Sequence, residues 1–270
     1  MKKWIYNILL IFFAVVFLGS CGMLAYYIID GNAQDAAYNA LSQMREDAIK
    51  KPVAKPDGTP VTDDDPWVTV TDPDTGEDLL ILPEFFQLYG MNSDLVGWIT
   101  VPGTKIDYPV LHKPEKEDYY LRRDYYGKKA SAGSVYVEES CDVFTPSDNV
   151  TLYGHMMRNG TMFADLKLYK DKDFWQDNKI IQFSNLREHH EYEIFAVFIT
   201  TASVGKGFTY HDFVFAEDQA EYDEFVAGCR EISLYDTGIV PQYGEKLITL
   251  STCDYSITNG RLVVVARRVD

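Results

Sequence analysis

The stretch TLSTCDYSITNGRLVVVARR, Thr249–Arg268, decides how the chain is read, because it holds two β-rich runs separated by turn-forming residues. In the first run and its approach, Leu247, Thr249, Ser251 and Cys253 share one face of a strand, and Ile248, Leu250 and Thr252 share the other. Two registers are open for the second run. A tight turn at Asn259-Gly260 would pair Thr258 with Arg261 and set Cys253 opposite Ala266, leaving Arg261 about 16 Å from the cysteine. A longer loop over Asp254 to Gly260 would instead end one strand on Cys253 and begin its neighbour on Arg261, roughly 5 Å apart. Aspartate, serine and asparagine crowd that interval and its residues do not alternate, so the loop is the preferred reading. Thiol and guanidinium then face the same opening.

Upstream, the same kind of run recurs. GWITV, DYPVL, GSVYVE, NVTLYG, KIIQFS and EYEIFAVFITT are β-branched and aromatic, and turn residues such as Pro102-Gly103, Asn159-Gly160, Asn185 and Gly244 punctuate the region. With KLITLST and RLVVVARRV this makes about eight strands, which predicts a mainly β fold closed into a barrel, since open edges on that scale invite aggregation. A short helix is expected around PEFFQLYGMNSD. Two helical inserts interrupt the strands: GTMFADLKLYKDKDFWQDN, with Phe163, Leu166, Leu168 and Phe174 on a broken helical pattern, and AEDQAEYDEFVAGCREIS, with Ala220, Phe225 and Cys229 on one side of an acidic helix.

Before the barrel, residues 1–29 read as a transmembrane anchor. Trp4 to Ile29 carry no charge, and about 26 residues at 1.5 Å rise can cross a hydrocarbon core of roughly 30 Å. Lys2 and Lys3 are expected in the cytoplasm, which sends the rest outside. A cleaved signal peptide, or a lipoprotein-type site at LGSC, competes, but apolar residues resume after Cys21 and favour an uncleaved anchor. Residues 30–81 read as an extracellular helix, from Asn32 to about Lys51 and ended by Pro52 and Pro56, followed by a Pro/Asp-rich spacer with little core of its own. Residues 82–270 are the barrel domain. The chain has 25 Lys+Arg against 41 Asp+Glu, a net charge of -16 that repels phosphate backbones, so nucleic acid is not an expected partner. The four cysteines, Cys21, Cys141, Cys229 and Cys253, are too widely spaced for a zinc site, and neither metal nor cofactor is expected.

A thiolate beside an arginine is a nucleophile beside an oxyanion donor; a proton carrier completes the set. Of the five histidines, His155 is best placed, following a strand and a glycine in NVTLYGH. His189 and His190 sit in charged company that predicts an exposed turn, and His112 and His211 read as surface or structural groups.

Together, TLSTC followed by an arginine, LYGH upstream, NSDLVGWITVPGTKIDYPVL, the DYYLRRDY run and NVTLYGHMMRNGTMFADLKLY resemble the class B sortases, membrane-anchored cysteine transpeptidases of Gram-positive bacteria. The similarity runs from about Glu84 to Val269. It implies an eight-stranded sortase-type β-barrel with N-terminal helices and a helical insert before the penultimate strand. It also implies Cys253 as nucleophile, His155 as general acid and Arg261 as oxyanion and substrate clamp. The Cys-to-Arg interval is shorter than in some class B members, a difference in one wall of the groove. The implied reaction cleaves the C-terminal sorting signal of a surface protein after threonine through a Cys thioester, then transfers the protein to the amine of a cell-wall precursor, with a mildly alkaline optimum. Expected substrate-binding residues are Ser251, Thr252 and Leu121, with Ser203, Phe208 and Tyr210 in the wall segment TASVGKGFTYHDF. The implied location is the cell membrane, single-pass, with the catalytic domain extracellular. A secreted cysteine peptidase that uses water, and a non-catalytic membrane-tethered binding barrel, are the competing readings.

Overall fold

In the computed structural model of the chain, the described residues are 3–51, 55, 56, 58–62, 65–203 and 205–270. Expectations placed on Lys2, on Pro52 as a helix stop, on spacer positions 53, 54, 57, 63 and 64, and on Val204 of the wall segment lie outside them.

Eight strands close into a barrel: β3 (Leu95–Thr100), β4 (Asp107–Leu111), β5 (Val135–Val137), β6 (Asn149–Tyr153), β7 (Ile180–Asn185), β8 (His189–Thr201), β9 (Leu247–Asp254) and β10 (Gly260–Arg268). Their order around the barrel is β10-β8-β7-β3-β4-β5-β6-β9, with β9 pairing back to β10. The β4–β5 and β6–β9 pairs are parallel and the other pairs of the barrel antiparallel. Closure leaves no exposed edge, which is why so many short apolar strands are tolerated.

The run of valines in β10 is apolar on both faces because both are covered. Leu262, Val264 and Ala266 enter the main core with Ile248, Leu250 and Val197. Val263 and Val265 face outward with Phe195, Phe198 and Leu247, beneath the helix α4 (Gln219–Glu231). That helix starts on Asp218, whose carboxylate accepts from Glu221 N–H at 3.0 Å. Its buried stripe is Tyr222, Phe225, Val226 and Cys229, at the i, i+3, i+4, i+7 spacing of one helical face. Ala220 falls two residues before that stripe and is exposed, which corrects its expected place on the buried side. His190 is also corrected: it lies in β8, 6 % exposed, between Glu188 and Asp270 rather than in an exposed turn.

At the N-terminus, the segments read as anchor and as extracellular helix are one element, α1 (Lys3–Lys50), long and apolar enough over its first part to cross a membrane. Its second part docks on the barrel. Tyr38 and Leu41 enter the main core, and Tyr38 Oη donates to Gly133 O at 2.7 Å. The segment read as a spacer holds the hairpin of β1 (Val68–Thr71) and β2 (Asp78–Ile81), and Ile81 joins the barrel core rather than a core of its own. A 3₁₀ turn, Pro83–Phe85, and α2 (Phe86–Met91) lead into β3; the first helical insert is a 3₁₀ helix, Phe163–Lys170, followed by α3 (Lys172–Asp177).

Candidate active site

The end of β9 meets the start of β10 in the register expected from the longer loop. Cys253 pairs with Arg261 and Asp254 with Gly260, so the connecting loop is Tyr255 to Asn259. Directly paired cross-strand residues project to one face with Cβ atoms about 5 Å apart. On the other flank of β9 lies β6, parallel to it, with Tyr153 beside Ser251. Gly154 N–H donates to Ser251 O at 3.1 Å and extends that ladder by one residue. His155 follows at once, so cysteine, arginine and histidine come from three adjacent strands at one end of the barrel.

His155 is fixed at main chain and ring. Its carbonyl accepts from Phe163 N–H at 2.9 Å, and its Nε2 lies 2.8 Å from Leu121 O. A carbonyl oxygen only accepts, so Nε2 carries the proton and Nδ1 is left to exchange one. Burial pushes the His155 pKa below the ordinary imidazole range; the bond to Leu121 opposes this, and the nearby Arg122 and Arg261 guanidinium groups add to the depression. Two glycines make this geometry possible. A Cβ on Gly154 would meet the Phe163 ring at 2.6 Å. Gly133 has φ +59°, and a Cβ there would meet the Leu121 carbonyl oxygen at 2.5 Å.

Arg261 Nη1 donates to Gly260 O at 3.0 Å, and the side chain has no carboxylate partner among the described residues. A half-buried guanidinium with donors to spare beside a thiol can hold an oxyanion. Cys253 is half-buried, whereas Cys141 and Cys229 are buried; burial pushes the Cys141 thiol up to about 12 and Cys229 further in the same direction. All three are free thiols, as is the exposed Cys21.

The remaining expected residues divide between surface and underlayer. Tyr210 and Ser251 are buried and bonded to each other, Oη to Oγ, at 2.6 Å. Burial raises the Tyr210 pKa; the bond from Ser251 and the charge of Arg261 oppose it, and Cys253 adds to it. Thr252 points to the opposite face and is 2 % exposed, its hydroxyl oxygen buried without a protein partner among the described residues. Ser251 and Thr252 are therefore both buried, on opposite faces of β9. Phe208 and Ser203 line the wall: the Phe208 ring packs edge-on to Phe198 and stacks on Phe225, while Ser203 Oγ accepts from Asn259 Nδ2 at 3.2 Å and ties the wall to the β9–β10 loop. Leu121 is half-buried, its carbonyl on His155.

Two features lay beyond sequence reasoning. Asp254, directly after the cysteine, is 3 % exposed and ion-paired to Lys170 of the first helical insert. Burial raises its pKa, but the bonds from Lys170 and Ser256 outweigh that and hold the carboxyl below its usual range. Arg122 reaches the electrostatic surroundings of His155 from a different loop. Neither pairing has a local signature, because the partners are 84 and 33 residues apart in the chain. Among the described residues no group of His, Cys, Asp and Glu is arranged to hold a metal ion.

Comparison with known proteins accords with this geometry. Residues 99–269 match the sortase domain. Sortase B of Listeria monocytogenes is 35% identical over 188 residues, 69% of this chain and 74% of that protein. Sortase B of Staphylococcus aureus is 31% identical over 189 residues, 69% and 75% of the two chains. Among solved structures, sortase B from B. anthracis in complex with AAEK1 superposes with TM-score 0.69 at 29% identity, covering 90% of this chain and 99% of the other. The Staphylococcus aureus sortase B-substrate complex gives TM-score 0.72 at 25% identity with the same coverage. A sortase B complexed with triglycine gives 0.70 at 26% identity, covering 88% and 98%. The chain belongs to the sortase family of cysteine transpeptidases, in its class B branch.

Proposed function

We propose that this sortase cleaves the C-terminal sorting signal of surface proteins after a threonine and transfers the protein to a cell-wall amine, with Cys253 as nucleophile, His155 as proton carrier and Arg261 as oxyanion donor. The observation that carries the reading is the direct pairing of Cys253 with Arg261, with His155 ending the strand on the other side of β9. Cys253 gives its thiol proton to Nδ1 of His155, and the thiolate attacks the threonine carbonyl while the Arg261 guanidinium meets the developing oxyanion. The C–N bond then breaks, the leaving amine takes a proton from Nδ1 of His155, and a thioester remains. The acceptor amine attacks that thioester, returns a proton to His155 and releases the thiolate. Phe208, Ser203 and Leu121 contact the signal from the walls, and Tyr210 and Ser251 brace the cysteine face from beneath. Relatives solved with substrate and with triglycine support a peptide donor and an amine acceptor. The organisation is an anchor over 1–29, an extracellular helix and spacer over 30–81, and a catalytic barrel over 82–270, with α1 crossing the cell membrane once and the barrel outside.

The test is product analysis on a panel of quenched sorting-signal pentapeptides, Asn-Pro types included, with and without triglycine. A peptide–glycine product that forms at the expense of hydrolysis supports transpeptidation. Exclusive hydrolysis at saturating amine would favour a peptidase.

A further inference from the structure

Large apolar side chains stand exposed along α1 as far as Ile29, with Ile49 the next after it, and the helix continues unbroken onto the barrel. Two loops meet it directly above that point. One is the loop after His155, whose Asn159 amide nitrogen lies 3.4 Å from the Cβ position of Gly31. The other is the hairpin that follows Leu121, closed by an Arg123–Lys129 bridge; its Tyr126 and Lys129 line a cavity against Asp30 and Ala33 of the helix. Residues 30–34 lie about 1.5–7.5 Å beyond Ile29 along the helix axis, and the headgroup layer on one side of a bilayer is about 5–8 Å deep. Both loops therefore stand at headgroup height.

Their charge is opposite to that of the chain. The protein carries a net charge of -16, yet at this place it exposes Lys128, Lys129 and Arg158, with Tyr126 47% exposed. Of the acids nearby, Asp30 accepts from Ser131 Oγ at 2.9 Å, and Asp124 accepts from Tyr126 N–H and Lys128 N–H at 3.0 and 2.9 Å; both are half-buried, as is Asp35 further along α1. Basic side chains with an interfacial tyrosine suit an anionic lipid surface, whereas the rest of so acidic a protein is repelled by one.

We propose that the barrel rests on the membrane through this basic collar, with Lys128, Lys129 and Arg158 against anionic phospholipid headgroups. The inference rests on reading α1 as a membrane anchor. One consequence concerns substrates. His155 is four residues from Asn159, at most about 14 Å of chain, so the histidine stands close to the bilayer surface, and a peptide bond cleaved there must lie within that distance of it.

The test uses the full chain reconstituted in vesicles of phosphatidylcholine, with and without phosphatidylglycerol. Alkaline carbonate extraction is measured first, then hydrogen exchange of residues 122–130 and 156–161. Docking predicts resistance to extraction, and slower exchange in both loops only with the anionic lipid, reversed near roughly 1 M salt. Lys129→Ala should lower that protection about fivefold, with residues of β3 and β7 unchanged. Extraction by carbonate would overturn the anchor and the docking together. Retention with equal exchange in both vesicle types would overturn the docking alone.

Discussion

Gly154→Ala tests how closely the histidine is positioned. The added Cβ would stand 2.6 and 2.7 Å from two carbons of the Phe163 ring, where an ordinary carbon contact is about 3.5–4.0 Å, so a gap of about 1 Å must open. Phe163 is fully buried and cannot swing aside; its N–H also holds the His155 carbonyl, so the displacement falls on the strand end that carries the histidine. Overpacking of this kind costs about 1–3 kcal/mol of stability, at roughly 2–4 °C in Tm for each kcal/mol in a domain of this size. A misplacement of about 1 Å in a catalytic group costs on the order of 100-fold in rate. We therefore expect kcat on a quenched sorting-signal peptide to fall about 100-fold, with KM changed far less and Tm lowered by a few degrees. Gly154→Ala/Phe163→Leu should recover part of the rate, because the smaller side chain makes room. A Gly154→Ala enzyme with wild-type kcat and Tm would refute the reasoning.

Arg261→Lys keeps the charge and loses the guanidinium fork; kcat/KM should drop about 100- to 1000-fold while urea unfolding is little changed, and an equal loss of fold and rate would mean a structural role. Arg122→Gln removes a positive neighbour of His155, so the imidazole should titrate at higher pH by NMR; an unmoved titration would remove Arg122 from the site's electrostatics. Burial holds His112, His155 and His190 below the ordinary imidazole value of 6.5, so the unfolded chain binds more protons just below that pH. Stability is then full above about pH 6.5 and declines as pH falls through the folded values, and the urea midpoint should be lower near pH 5.5 than near pH 7.5.

Strand alternation made the barrel legible, and the crowded polar interval after Cys253 made the register legible, because both are written in neighbouring residues. Cys253, His155 and Arg261 could be singled out because each lies at or beside a strand end: β9 closes on Asp254, β10 opens on Gly260 and β6 stops at Tyr153. The depth of Ser251 and Thr252 was not legible. Cover over Ser251 comes from Tyr210, 41 residues earlier, and nothing near the cysteine announces it. His190 misled for a related reason: its charged neighbours are the partners that let it be buried, and sequence alone does not separate a charge that pairs from one that is solvated. The continuity of α1 across the junction at residue 30 also escaped composition, since a helix continues wherever no proline interrupts it and its later face finds a surface to cover.

The most direct test is the mass of the covalent intermediate. The chain is incubated with a cleavable sorting-signal peptide, quenched in acid and digested. We predict an acyl adduct on the fragment containing Cys253, released by hydroxylamine and missing from Cys253→Ala, which should cleave no signal. Acylation of Cys141 or Cys229, or cleavage by Cys253→Ala at the wild-type rate, would contradict the account.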